Sequence, residues 1–245
     1  MVNRGLAASR EKAQAFLMAG SVSVNGRPET KPGTKVDADS EILITSDPVP
    51  YVSRGGLKLE AALDRFDITP EGLVCIDVGA STGGFTDLML QRGAKKVYTI
   101  DVGYGQLDYK LRNDPRVVNM EKTNIRLLDP VSFPEKADFI TIDVSFISLK
   151  LVLPVVVRLL SGPLSRIVCL VKPQFEAERA QVGKGGIVRD PLVHRSVLEK
   201  VRGYAADNGL EVISEFECPV TGTKGNHEFL MLLRPAGIDQ ERRGT

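Results

Sequence analysis

The order of apolar and polar positions divides the chain into two regions. In the first, Ala13, Phe16, Leu17 and Met18 follow Ser9, a residue suited to capping a helix start, and Gly20 is suited to ending that helix. Val22 and Val24 then alternate with serines and run into Asn25-Gly26, a strong hairpin signal, and "EILIT" from Glu41 predicts a further short strand. "SDPVPYVSRGG", with two prolines and paired glycines, reads as a linker. Beyond it, "LVCIDV", "KVYTIDV", "RVVNM", "DFITIDV" and "RIVCLVK" alternate with helix-like segments. Near-continuous Val/Ile/Leu runs between helices predict an α/β fold with a parallel sheet covered on both faces. Asp190-Pro191 forms an N-cap and first-turn pair for a helix that stops at Asn208-Gly209. "EVISEFE" and "EFLMLLR" follow without a helix between them, which predicts an antiparallel pair closing the sheet. The expected organisation is a small α+β module over 1–46, a linker over 47–56, the main domain over 57–235 and a flexible tail over 236–245.

Composition narrows the class. With 42% hydrophobic and 26% charged residues the chain is expected to be soluble and globular. Its 32 basic and 31 acidic residues give no global nucleic-acid signature, so any basic surface is local. Up to Lys35 the first region supplies one: Arg4, Arg10, Lys12, Arg27, Lys31 and Lys35 stand against Glu11 and Glu29. Cys75, Cys169 and Cys218 lie far apart, the first two inside strand-like runs, and are expected to be reduced core thiols of a cytoplasmic protein. No signal peptide is expected, because "MVNRGLAASREK" has no apolar core after its basic residues. The most apolar run, "LKLVLPVVVRLLSG", is cut by Pro154 and Arg158 and falls short of the roughly 20 residues that span a bilayer. No membrane partner and no metal site are expected.

The candidate chemistry centres on "DVGASTGGFTD". Gly79-Ala80-Ser81-Thr82-Gly83 satisfies G-x-S-x-G, the turn that presents a hydrolase serine. A nucleophile elbow, however, needs a sheet already built ahead of it and a histidine after it. Here "LVCIDV" is the first strand of its domain, and the histidines are His194 and His227. The alternative is a nucleoside-cofactor turn: Gly79, Gly83 and Gly84 permit close backbone approach, and Asp101 ends the next strand, where an acid accepts from ribose hydroxyls. That reading explains more residues. The spacing does not match G-x-G-x-x-G, which argues against a dinucleotide.

"YVSRGGLKLEAAL", "DVGASTGGFTD", "DVGYGQL", "DVSFIS", "VKPQFE", "GKGGIVRDP" and "GNHEFL", in that order, resemble the TlyA (haemolysin A-like) family. The resemblance implies a Rossmann-like class I methyltransferase sheet, mostly parallel with an antiparallel last strand, and an FtsJ-like activity: S-adenosylmethionine-dependent methylation of a ribose 2′-hydroxyl in RNA. "RGLAASREKAQAFLMAGSVSVNGR" resembles an S4 RNA-binding module, which implies phosphate contacts from Arg4, Arg10, Lys12 and Arg27. Only Met1 to Asn3 precede its Arg4-Gly5-Leu6, so a module shortened at its start is expected. Ribosomal RNA or ribosomal subunits are the implied partner, with no obligate protein partner. Asp77, Gly79, Ala80, Ser81, Gly83, Gly84, Phe85 and Asp101 are the implied cofactor residues.

The resemblance also carries a Lys-Asp-Lys-Glu set onto Lys58, Asp143, Lys172 and Glu228, with Lys172 as the proton acceptor. A free lysine is protonated at neutral pH, and burial and nearby positive charge are what turn one into a base. Glu121, Thr123 and Asn124 follow the third strand as candidate adenine contacts, "VGKGGIV" is expected to be a mobile lid or an RNA-facing loop, and Arg54 belongs to a turn before a helix. His194 is expected on a helix surface and His227 as a neighbour of Glu228. Three other readings stand beside the methyltransferase: a serine hydrolase through Ser81, a noncatalytic RNA-binding or ribosome-assembly protein, and a pore-forming haemolysin, against which the missing membrane segment argues.

Overall fold

The computed structural model describes residues 1–7, 9–18, 20–44, 49–222 and 225–237. Two compact units are present, Met1–Arg54 and Gly55–Thr245. In the first, helix α1 (Arg10–Met18) starts where Ser9 Oγ accepts the Lys12 N–H. Strands β1 (Val22–Val24) and β2 (Arg27–Pro28) form a hairpin, and β3 (Ile42–Ile44) pairs antiparallel on the other side of β1. Asn25 and Gly26 both take positive φ, 50° and 74°, as a two-residue hairpin turn requires. Ala7, Phe16 and Val22 form its small core. Thr45, the end of the expected third strand, and residues 47 and 48 of the expected linker lie outside the described residues.

The second unit begins with helix α2 (Gly55–Phe66), which takes in the glycine pair assigned from sequence to the linker. The physical reason is packing: Gly56 and Leu59 are buried, and α2 lies against α3 (Gly84–Gln91). The sheet comprises β4 (Val74–Val78), β5 (Lys96–Ile100), β6 (Val117–Met120), β7 (Phe139–Ile142), β8 (Arg166–Val171), β9 (Leu210–Glu217) and β10 (Phe229–Pro235), in the order β6-β5-β4-β7-β8-β10-β9. The first five pair in parallel, and β10 runs antiparallel to both β8 and β9. Every residue of the central strands β4 and β7 is buried, which is why their sequences read as continuous apolar runs.

Helix α4 (Tyr109–Arg112) is capped by Asp108, α5 (Leu153–Val156) sits between two 3₁₀ turns, and α6 (Pro173–Glu176) follows β8 directly. The run that resembled a cut membrane segment is core: Leu149, Val152, Leu153, Val156 and Leu159 are at most 1% exposed. Among the described residues, no helix is long and apolar enough to cross a membrane. Helix α7 (Pro191–Asp207) has Asp190 as its cap, accepting from the Leu192 N–H at 2.8 Å. His194, expected on its surface, is instead buried: its first turn lies under Val188, whose carbonyl is 3.0 Å from His194 Nε2. At the other end Ala236 donates its N–H to Gly209 O at 2.8 Å, so the expected tail is tied down at its start, and 238–245 lie outside the described residues.

Candidate active site

Three parallel strands end together at the centre of the sheet, where the order reverses around β4, and ligands of open α/β sheets bind outside such ends. The glycine turn after β4 supplies one wall. Gly79 has φ 85°, and a Cβ there would stand 2.5 Å from the Asp143 carbonyl oxygen and 2.9 Å from its carbon. Only glycine lets the β4 turn close onto the end of β7, so one backbone contact sets the distance between the turn and Asp143.

Asp101, at the end of β5, holds this wall to the next. Its Oδ2 accepts the Ser81 N–H at 2.8 Å and its Oδ1 accepts the Gly103 N–H at 2.7 Å. Each carboxylate oxygen keeps a further lone pair, so this clamp leaves room for a ligand hydroxyl. Ala80, Ser81, Asp101, Gly103, Gln106, Leu107, Asn119 and Glu121 together line a small open concavity. Glu121 lines it with a carboxylate that Gly105 and Asn119 hydrogen-bond, and its buried Oε1, 3.6 Å from Arg112 Nη2, has no hydrogen-bond partner of its own. An orphaned acceptor in a mixed apolar and acidic hollow fits the hydroxyls or amino group of a nucleoside. Gln106, Asn119 and Leu107 were not foreseen from sequence, because nothing in their spacing places them beside the glycine turn.

Asp77 works from behind. It has no exposed surface, and its oxygens accept from Thr86 Oγ1 at 2.7 Å and Thr141 Oγ1 at 3.1 Å. Gly83, Gly84 and Phe85 are likewise buried, so of the glycine-turn residues Ser81 is the exposed one. Burial pushes the Asp77 carboxyl from its ordinary value of 3.8 up to about 7, against the pull of the two threonine hydroxyls. A carboxyl raised in the folded state holds a proton there that the unfolded chain has released, so Asp77 makes stability fall as pH rises from about 4 to about 7. Asp77→Asn can still accept from Thr141 and can donate to Thr86, and it does not titrate. It is therefore expected to flatten that decline, as read from urea midpoints across this range; a variant with the wild-type slope would contradict the assignment.

The second wall gathers four ionisable side chains from distant parts of the chain. Lys58, in the first turns of α2, lies 2.6 Å from Glu228 Oε2, just ahead of β10. Lys172, just after β8, lies 2.6 Å from Asp143 Oδ1, just after β7, and donates to Ser145 Oγ at 2.9 Å. The Lys172–Asp143 pair is a close ionic contact that does not meet hydrogen-bond geometry. Pairing of Phe229 with Val171 brings Glu228 and Lys172 to adjacent positions, and the buried Cys218 thiol feels Lys58, Glu228 and Asp143 together. The four side chains are between 3% and 21% exposed, sheltered but reachable.

Two supports were invisible in the sequence. A Cβ on Gly222 would fall 2.1 Å from Glu228 Oε1, so this glycine makes the seat for the carboxylate. Glu176, one helical turn after Lys172, accepts from Ser148 Oγ at 2.6 Å and from the Leu149 N–H at 2.7 Å. The loops that carry Asp143 and Lys172 are thus tied at both ends. Burial raises the Glu176 carboxyl, and those two hydrogen bonds oppose the rise.

A family model described as an FtsJ-like methyltransferase matches residues 51–234, and one described as an S4 domain matches residues 1–42. The chain belongs to the FtsJ-like methyltransferase family. A Bacillus subtilis protein provisionally named rRNA methyltransferase YqxC is 51% identical over 98% of this chain and 86% of its own length. The 16S/23S rRNA (cytidine-2′-O)-methyltransferase TlyA of Mycobacterium tuberculosis is 46% identical over 96% of this chain and 87% of its own. A solved Streptococcus thermophilus structure, provisionally named a hemolysin, has a TM-score of 0.78 and 49% identity, covering 93% of this chain and 83% of that one. The sheet described above is accordingly the Rossmann-like class I methyltransferase sheet, and the FtsJ-like domain implies S-adenosylmethionine as its cofactor.

Membership disposes of the hydrolase reading together with the geometry. Ser81 Oγ is hydrogen-bonded to Gln106 Oε1 at 3.4 Å, whereas His194 is engaged with Val188 O and His227 with Glu217. Neither imidazole is placed to take the serine proton. All three cysteines are free and buried, with Cys75 and Cys169 pushed up to about 12 by burial, so they are inert core thiols. In the S4 module Arg10, Lys12 and Arg27 are exposed. Arg4 is exposed as well, but its guanidinium is engaged: it donates to the carbonyls of Asp37, Ala38 and Ser40, which ties the start of the module to the approach of β3.

Proposed function

We propose that this protein transfers a methyl group from S-adenosylmethionine to a ribose 2′-hydroxyl of ribosomal RNA, with Lys58, Asp143, Lys172 and Glu228 as its catalytic set. The observation that carries the reading is the meeting of two lysine–carboxylate pairs, each at 2.6 Å, beside a glycine turn that offers a nucleoside hollow. S-adenosylmethionine supplies an electrophilic methyl group on a sulfonium. Asp101 and Glu121 hold its nucleoside, the Gly79–Gly83 turn leaves room for the rest, and Asp77 braces that turn.

Lys172 Nζ takes the proton that the 2′-hydroxyl loses, and Asp143 and Ser145 aim it. Lys58, held by Glu228 in the seat that Gly222 leaves for that carboxylate, donates to the oxygen of the same hydroxyl and fixes its direction. Aligning two bound reactants contributes about 7–11 kcal/mol, against roughly 3–5 kcal/mol for general-base help of about 10²–10⁴-fold. Orientation by the paired side chains is therefore the larger contribution.

The S4 module over 1–46, with Arg10, Lys12 and Arg27 on its surface and Arg4 in a bracing position, adds affinity for RNA phosphates to a methyltransferase domain that begins at Gly55. The reaction needs no protein partner beyond the ribosome and takes place in the cytoplasm. Purified ribosomal subunits incubated with this protein and a labelled methyl donor are expected to gain label at a ribose that then resists alkaline cleavage. Label on a base, or on protein, would overturn the assignment.

A further inference from the structure

The glycine-rich stretch from Gly183 to Val188 takes no part in the chemistry above, yet it is firmly anchored beside it. Gly183 N–H donates to Ile187 O at 2.9 Å and Gly186 N–H to Gly183 O at 3.0 Å, closing a tight hairpin with Lys184, Gly185 and Gly186 exposed at its tip. Asn226, 3% exposed, accepts the Val188 N–H at 3.2 Å and donates to Gly186 O at 3.0 Å. His194 Nε2 lies 3.0 Å from Val188 O, and because a carbonyl only accepts, the ring donates there. Asn226 stands two residues ahead of Glu228, and its carbonyl accepts the N–H of Gly222, the residue that makes room for the Glu228 carboxylate. The hairpin foot and the catalytic glutamate therefore rest on one short segment.

Charge says what this hairpin meets. Arg179, Lys184 and Arg189 are exposed and make no ion pair among the described residues. The acidic neighbours are already engaged: Glu178 lies 3.9 Å from Lys200, and Asp190 caps α7. Unpaired cations on a stiff loop, next to a centre whose acceptor is a ribose between two phosphates, match the backbone of an RNA strand.

We propose that the 183–188 hairpin is a phosphate clamp of the methyltransferase domain, gripping the RNA backbone beside the target ribose through Lys184 at its tip and Arg179 and Arg189 at its foot. The proposal rests on the RNA-methylation reading and deepens it. Its test is a set of affinities of the full chain for purified ribosomal subunits at about 50–200 mM salt. Three proteins are compared: wild type, the neutralising double variant Lys184→Ala/Arg189→Ala, and the charge-keeping double variant Lys184→Arg/Arg189→Lys. The neutralising variant is expected to reduce the slope of log affinity against log salt by about 1.4–1.8, since each neutralised phosphate contributes about 0.7–0.9. The charge-keeping variant is expected to retain the wild-type slope, and both variants are expected to keep the wild-type unfolding midpoint and affinity for S-adenosylmethionine. A neutralising variant with the wild-type slope, in a protein that binds and methylates subunits, would overturn the clamp alone. A wild-type protein that binds with no salt dependence would overturn the clamp and the RNA reading together.

Discussion

Replacing Lys172 by alanine is expected to abolish measurable methyl transfer and to leave S-adenosylmethionine binding intact. The ammonium group sits 2.6 Å from Asp143 Oδ1 and 2.9 Å from Ser145 Oγ, and among the described residues no other lysine pairs with these two groups. Its loss removes the proton acceptor, a factor of about 10²–10⁴, and also strands the Asp143 carboxylate. Asp143 is then free to turn toward solvent, so the alignment contribution falls with it. Lys172→Arg separates the two effects. It preserves the positive charge and the ion pair, but a guanidinium does not give up its proton, so it cannot serve as a base. Both variants are expected to bind S-adenosylmethionine with wild-type affinity in calorimetry, because the nucleoside hollow is built from other residues. Near wild-type turnover by Lys172→Ala on intact subunits would remove Lys172 from the catalytic role.

Gly79→Ala is expected to be the most damaging single change to the fold of the site. A left-handed backbone costs a non-glycine residue about 1–2 kcal/mol, and overpacking adds roughly 1–3 kcal/mol. Here the obstruction is the Asp143 carbonyl, 2.5 Å from the added carbon, and backbone cannot rotate aside as a side chain can. A total of about 2–5 kcal/mol is a large part of the about 5–15 kcal/mol that stabilises a typical domain. Whatever fraction of the variant folds would also carry a displaced Asp143, so turnover per folded molecule is expected to fall as well. Urea unfolding and turnover measured on the same preparation check both statements. If neither changed, the approach of the β4 turn to the end of β7 would be looser than the structure shows.

These two sites show how unevenly the sequence conveyed the molecule. All the strands beyond the linker were legible, because central strands buried on both faces leave unbroken runs such as "VCIDV" and "FITI". The hairpin at Asn25-Gly26 and the ends of α7 were legible for a different reason: caps and tight turns are local chemistry, and local chemistry is written in neighbouring residues. The start of α2 was misplaced because paired glycines signal a turn, and only the burial of Gly56 against the rest of the domain makes them helical. His194 was misplaced similarly, since a histidine on an amphipathic helix gives no sign that a distant carbonyl, Val188 O, covers it.

Residues that act through empty space were the least legible. Gly222 matters because of what a side chain there would strike, and Gln106 and Asn119 because the ends of β5 and β6 bring them beside Ser81. The sequence by itself determined the strands, the capped helices and the glycine turn, through periodicity and turn chemistry, whereas resemblance to a family is what pointed to the four ionisable side chains. The tertiary structure alone decided that Lys58 pairs with Glu228 and Lys172 with Asp143, that Asp77 braces rather than faces the hollow, that Gly79 lets the β4 turn close onto the end of β7, and that Gly222 leaves a seat for the Glu228 carboxylate. The physical reason is that periodicity and caps arise between residues a few positions apart, whereas ion pairs and excluded volume depend on distances between strand ends that only the assembled sheet defines.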